Sequence, residues 1–166
     1  VLGGRLDLPL RAQCRNGVFT MTAPGSNTVA EGIRLTRELA DRALARLHPL
    51  FAGAAIVTGT VDLVMADLRV PLEPTWRTQA SVNGLLRFRG VRLGATGFLE
   101  RVFDELGIRE RTCDLGDQTW AFRVSEGTVR GEPIRMSVDG HEVIAEGFMG
   151  LDGALEYRIE VPLTEK

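Results

Sequence analysis

The chain has 166 residues, of which 44% are hydrophobic and 25% charged, with 20 basic side chains against 22 acidic ones. This composition excludes disorder, a collagen-like fibre and a strongly basic nucleic-acid tail, and the length suits one domain that buries roughly 18,000 Å² on folding. The longest uncharged apolar run, residues 50–61, is too short for a membrane-spanning helix, and the start at Val1 suggests a segment cut from a longer protein.

Residues 28–47 carry helical spacing, with Val29, Ile33, Thr36, Ala40, Leu44 and Leu47 on one face. Thr28 and Glu31 form a capping box, Arg37 with Asp41 and Glu38 with Arg42 add pairs one turn apart, and Pro49 ends the helix. Trp76, Thr78, Ala80, Val82, Gly84, Leu86 and Phe88 alternate with polar residues, which predicts one long strand with a wet face. The phase flips at Gly90, so a bulge is expected there. A second helix is expected over 97–106, capped by Thr96 and stopped by Gly107 in the left-handed conformation, with Phe98, Leu99, Val102, Phe103 and Leu106 inward and Ile108 as its hydrophobic clasp.

The last third reads as a meander. Trp120, Phe122 and Val124 alternate before a turn at Glu126-Gly127. Ile134, Met136 and Val138 lead into a hairpin at Asp139-Gly140, and Val143 and Ala145 return on the same face. For the final hairpin, a two-residue turn at Asp152-Gly153 sets Phe148 opposite Tyr157 and puts the apolar residues on opposite sides of the sheet. A three-residue turn, Leu151-Asp152-Gly153 with Gly153 left-handed, pairs Gly147 with Tyr157, Ala145 with Ile159 and Val143 with Val161. It keeps one apolar face running through Tyr157, Ile159, Val161 and Leu163, and is therefore expected. The resulting fold class is α+β: an antiparallel, strongly twisted sheet in a single domain, its apolar face packed by two amphipathic helices.

Little in the sequence points to catalysis. His48 precedes Pro49 at a helix end and His141 sits in a tight hairpin, neither beside a nucleophile. Phosphate-loop, nucleophile-elbow and zinc-protease motifs are absent, and neither Cys14 nor Cys113 has a partner at metal-ligand spacing, so no cofactor or metal is expected; the two cysteines read as buried thiols, with a disulfide between them as the alternative in an oxidising compartment. Asp104 with Glu105, and Asp114 with Asp117, read as solvated charge. Arg87, Arg89 and Arg92 make a small basic patch without interleaved aromatics, which argues against nucleic acid. What remains is the apolar sheet face. It is either closed into a core by the helices or partly open to an acyl chain, and the residues that would face the lipid are Val82, Leu86, Phe88, Trp120, Phe122, Tyr157 and Ile159.

The segments Gly59-Thr-Val-Asp-Leu through Val70-Pro-Leu, Gly84-Leu-Leu-Arg-Phe-Arg-Gly-Val-Arg-Leu, Phe122-Arg-Val-Ser-Glu-Gly-Thr-Val, and residues 147–163 repeat one form: glycine, alternating apolar residues, a short turn, glycine. In this they resemble the C-terminal region of AsmA-like proteins. The resemblance implies a non-enzymatic, periplasmic, lipid-binding or lipid-transport segment, either part of a groove or the cap that ends it. The remainder of the same polypeptide would lie upstream, with the membrane reached through an anchor outside this chain, and a phospholipid or other acyl chain would be the ligand. A structural module of an envelope assembly and a soluble β-rich binder of small ligands stand as the other readings.

Overall fold

The structure is a computed structural model that describes residues 3–52, 54, 57–95, 97–105 and 107–161. Ten strands form one sheet: β1 (Arg5–Leu6), β2 (Arg11–Arg15), β3 (Val18–Arg34), β4 (Val57–Pro71), β5 (Ser81–Gly94), β6 (Thr112–Ser125), β7 (Thr128–Gly131), β8 (Ile134–Val138), β9 (His141–Gly150) and β10 (Leu155–Glu160). β1 and β2 both lie along β3; the order then runs β4, β5, β6, with β7 and β8 end to end in one row between β6 and β9, and β10 at the far edge. Every pair is antiparallel among the described residues.

Alternation drives this arrangement, and it leaves one face apolar. Val61, Leu63 and Met65 of β4 lie opposite Phe88, Leu86 and Gly84 of β5, and Leu86 and Gly84 lie opposite Trp120 and Phe122 of β6. The rings of Phe122 and Trp120 cover Gly84 and Gly131, where a Cβ would strike ring atoms, and the two rings stack at 5.1 Å. At Gly90 the β5–β6 register shifts between Phe88 and Val91 with Gly90 at φ 57°, the bulge expected from the phase flip. Asp117 holds it by accepting the Gly90 N–H at 2.7 Å.

The turns follow their residues. Glu126-Gly127 and Asp139-Gly140 have both residues at positive φ, as the favoured two-residue hairpin requires, and Asn16-Gly17 joins β2 to β3 in the same way. In the last hairpin the Gly150 N–H donates to the Ala154 carbonyl at 2.7 Å, Gly153 has φ 96°, and Tyr157 and Ile159 lie opposite Gly147 and Ala145. This is the three-residue turn that keeps the apolar face continuous.

Two expectations need correction. The helix predicted over 28–47 is β3 as far as Arg34. Helix α1 occupies only Arg37–Arg42, followed by 3-10 turns at Leu44–Arg46 and Pro49–Phe51. The cap is Thr36, whose hydroxyl accepts the Leu39 N–H at 3.2 Å, rather than Thr28. The predicted pairs do form, Arg37 with Asp41 at 3.8 Å and Arg42 with Glu38 at 3.2 Å. The misreading has a physical cause: β3 slips register against β4 at three places, and each slip changes which residue points inward. Val29, Ala30 and Ile33 therefore all turn to the apolar side, at a spacing that imitates a helix. Likewise residues 76–79, expected to begin the long strand, form a short helix α2 (Trp76–Gln79). The turn after Pro74, with Trp76 N–H bonded to the Glu73 carbonyl, wins over alternation, and β5 starts only at Ser81.

The second expected helix is α3 (Phe98–Glu105). Gly107 at φ 67° donates to the Asp104 carbonyl and Ile108 to the Phe103 carbonyl, which is the Schellman ending anticipated from Gly107 and Ile108. Thr96, Leu106 and Leu163, and the side chains of Phe98 and Leu99, lie outside the described residues. The core forms where the segment after β3 folds back onto the sheet: Ala40, Leu44, Leu50 and Phe51 bury together with Leu86, Phe88, Val91, Leu93 and Phe103.

Candidate functional site

The helical cover does not close everywhere. A cleft of about 470 Å³ remains between it and the sheet. One wall is Val29, Ala30 and Ile33 of β3, Val61 and Leu63 of β4 and Leu86 of β5; the other is Leu39, Ala43, Leu44 and Leu47 of the helical segment. Gly3, Gly4 and Leu6 form the rim, where Leu6 is 74% exposed. The lining holds no charged side chain and no hydrogen-bonding side chain. Its size falls within the range of small-molecule sites, but without the few convergent polar groups that ordinarily orient a polar ligand. Such a site suits a hydrocarbon chain.

Beyond the cleft apolar residues continue along the same two strands. Met21 lies opposite Val70 and Ala23 opposite Leu68, and on β2 Ala12 and Cys14 lie opposite Met21 and Phe19. Burial along this track is uneven: Ile33, Val61 and Ala23 are buried, Met21, Leu68 and Val70 are half-buried, and Phe19 and Leu72 at its end are each 55% exposed. The total accessible surface, 10049 Å², exceeds the roughly 8,100 Å² expected of a compact chain of this mass.

Of the seven lipid-facing candidates, Leu86, Phe88, Trp120 and Phe122 lie in the closed core, and Val82, Tyr157 and Ile159 are half-buried. Only Leu86 lines the cleft. The cleft lies toward β3 and β4 rather than toward β6 and β10. The signal that could have found it was the alternation Val61, Leu63, Met65 between Gly59 and Asp67, together with Leu6.

His48 explains why the Trp120 and Tyr157 end is closed. It is 1% exposed, with its ring edge-on to Trp120 at 5.5 Å and to Tyr157 at 4.7 Å. Nδ1 accepts the Leu50 N–H at 3.3 Å, while Nε2 is buried without a hydrogen-bond partner among the described residues. Burial pushes its pKa down to about 3, so the ring packs as a neutral aromatic plug. Burial likewise raises Tyr157 to about 12. His141 is exposed on β9.

The remaining polar groups serve the scaffold. Arg89 pairs with buried Asp62, which also accepts the Gly32 N–H at 2.7 Å, and Arg92 pairs with Asp114 at 3.1 Å, so two arginines of the basic patch are neutralised. Asp104 binds Arg111 at 2.7 Å. Cys113 is buried, and its thiol is raised to about 12 chiefly by that burial, whereas Cys14, expected to be buried, is exposed on β2, which among the described residues pairs only with β3 at the edge of the sheet. Both are free thiols. No cluster of metal-ligating side chains occurs among the described residues, and no helix there is long and apolar enough to cross a membrane. No family model, curated protein or solved structure matches the chain.

Proposed function

We propose that this chain is a non-enzymatic, lipid-binding segment whose cleft holds an acyl chain under its helical cover, as a groove segment or cap of an AsmA-like protein of the bacterial envelope. The observation that carries this reading is the charge-free cleft of about 470 Å³ opening onto an apolar track. Its ligand would be a phospholipid or another acyl-bearing molecule, with the headgroup held at the rim near Leu6. Periplasmic placement, and a membrane anchor elsewhere in the polypeptide, come with the same reading.

Magnitudes make the reading specific. About ten buried methylenes contribute roughly 8 kcal/mol before the costs of association and ordering, which leaves binding at micromolar strength or weaker. A carrier that must release its cargo needs this range. The test is native mass spectrometry of the chain expressed in an envelope compartment, beside a variant with Leu39→Glu and Ala43→Glu. Both positions line the cleft yet lie outside the fully buried core, so the fold should survive. Wild type should carry lipid mass that the variant lacks. Wild type without lipid, or a folded variant that keeps it, would count against the cleft.

A further inference from the structure

The two edges of the sheet are complementary to each other. β2 presents Arg11, Gln13 and Arg15 on its polar side and Ala12 and Cys14 on its apolar side, with all five residues exposed. At the opposite edge, β10 presents Glu156, Arg158 and Glu160 on the polar side and Tyr157 and Ile159 on the apolar side. Among the described residues no salt bridge engages Arg11, Arg15 or Glu156.

We infer that a second copy of this chain adds to the sheet edge to edge, β2 of one copy against β10 of the next. Strand direction allows it. Following the alternation from β3 to β10, β10 runs parallel to β3 and β2 antiparallel to it, so a copy translated across the sheet meets its neighbour in antiparallel pairing with the apolar faces aligned.

The backbone sets the register. Arg15 and Val18 flank a two-residue hairpin, so Arg11, Gln13 and Arg15 spend their amides on β3 and those of Ala12 and Cys14 point outward. Gly150 bonds Ala154, so by the same alternation Glu156, Arg158 and Glu160 face β9, and Tyr157 and Ile159 point outward. Cys14 then meets Tyr157 and Ala12 meets Ile159 through the ladder, while Arg15 faces Glu156, Gln13 faces Arg158 and Arg11 faces Glu160. A slip by two residues would set Arg158 against Arg11 or Arg15, a like-charge pair that disfavours it. The charges that shield each edge from unrelated strands thus select this one.

The contact is five pairs long, about 17 Å of strand, and smaller than stable interfaces, so the association is weak and reversible. Because it joins two different edges it does not stop at a dimer. Sedimentation velocity under reducing conditions, with rising protein concentration, tests it. Wild type should grow past dimer, less so in high salt. Arg11→Glu with Arg15→Glu, and separately Glu156→Arg with Glu160→Arg, should each weaken association by about tenfold or more, and an equimolar mixture of the two variants should restore it. Should a reversal unfold the chain by circular dichroism, Arg11→Gln with Arg15→Gln gives the same reading at smaller amplitude. Wild type that stays monomeric to its solubility limit would assign these edges to strands of another chain and overturn the inference. Variants that associate like wild type, or a mixture that fails to associate, would overturn it too.

Discussion

The two ends of the long β3–β4 pair share one apolar face but not one environment. At the end near Ile33 and Val61, the segment after β3 folds back and Leu44, Leu50 and Phe51 bury against the sheet, with the cleft left beside them; at the end near Met21 and Val70, Phe19 and Leu72 are each 55% exposed. One apolar face thus becomes core or open surface according to where one irregular segment lands. The cleft marks the boundary between the two conditions, where the cover thins but the walls stay apolar.

The contrast is broken most strongly by deleting side chains at each end. Phe51→Ala should cost about 3–5 kcal/mol in urea unfolding, because a fully buried ring leaves a cavity. Phe19→Ala, on the exposed end, should cost under about 0.5 kcal/mol. Equal losses would mean that the exposed end is covered in solution. Leu86→Glu belongs with the first class, since Leu86 is 1% exposed and a charge there unfolds the protein rather than reporting on a ligand.

Acidification should act on the covered end alone. His48 titrates near 6.5 when unfolded and at about 3 when folded, so between those values the unfolded chain binds the extra proton and stability falls with pH. The loss attributable to His48 from pH 7 to pH 5 should be about 2 kcal/mol, and His48→Leu should remove that part of the pH dependence. An unchanged slope in His48→Leu would show that the ring is not buried neutral.

A smaller effect is expected at the last hairpin. Gly153→Val meets no neighbour within 4 Å, so its cost comes from the left-handed backbone, at somewhat more than about 1 kcal/mol. The smallest perturbation sharpens the comparison without touching stability: a thiol reagent should label Cys14 at once and Cys113 only on unfolding, given one exposed and one buried sulfur. Equal rates would contradict the difference in cover.

These contrasts also mark how far the sequence could be read. Glu126-Gly127, Asp139-Gly140 and the Gly90 bulge were legible because each depends on a residue and its immediate neighbours, and the three-residue turn before Tyr157 because only that register keeps the apolar faces of two adjacent strands together. The end of α3 at Gly107 was legible for the first of these reasons. Residues 28–34 were not, because register slips against β4 turned consecutive residues inward and counterfeited a helical face. The apolar face itself was visible in Leu86, Phe88, Trp120 and Phe122, but which part stays open depends on the return of residues 36–52 across the sheet. That is a tertiary event, and the local pattern does not encode it.

The central claim is that the cleft between the helical cover and β3–β4 takes an acyl chain, and photocrosslinking with a fatty acid carrying a diazirine near its methyl end tests it most directly. Peptide mapping should place the adducts on Leu39, Leu47 and Leu63, the walls of the cleft. Adducts confined to the polar face around Thr20 and Arg69, or none above the level of a Leu39→Glu, Ala43→Glu variant, would contradict it.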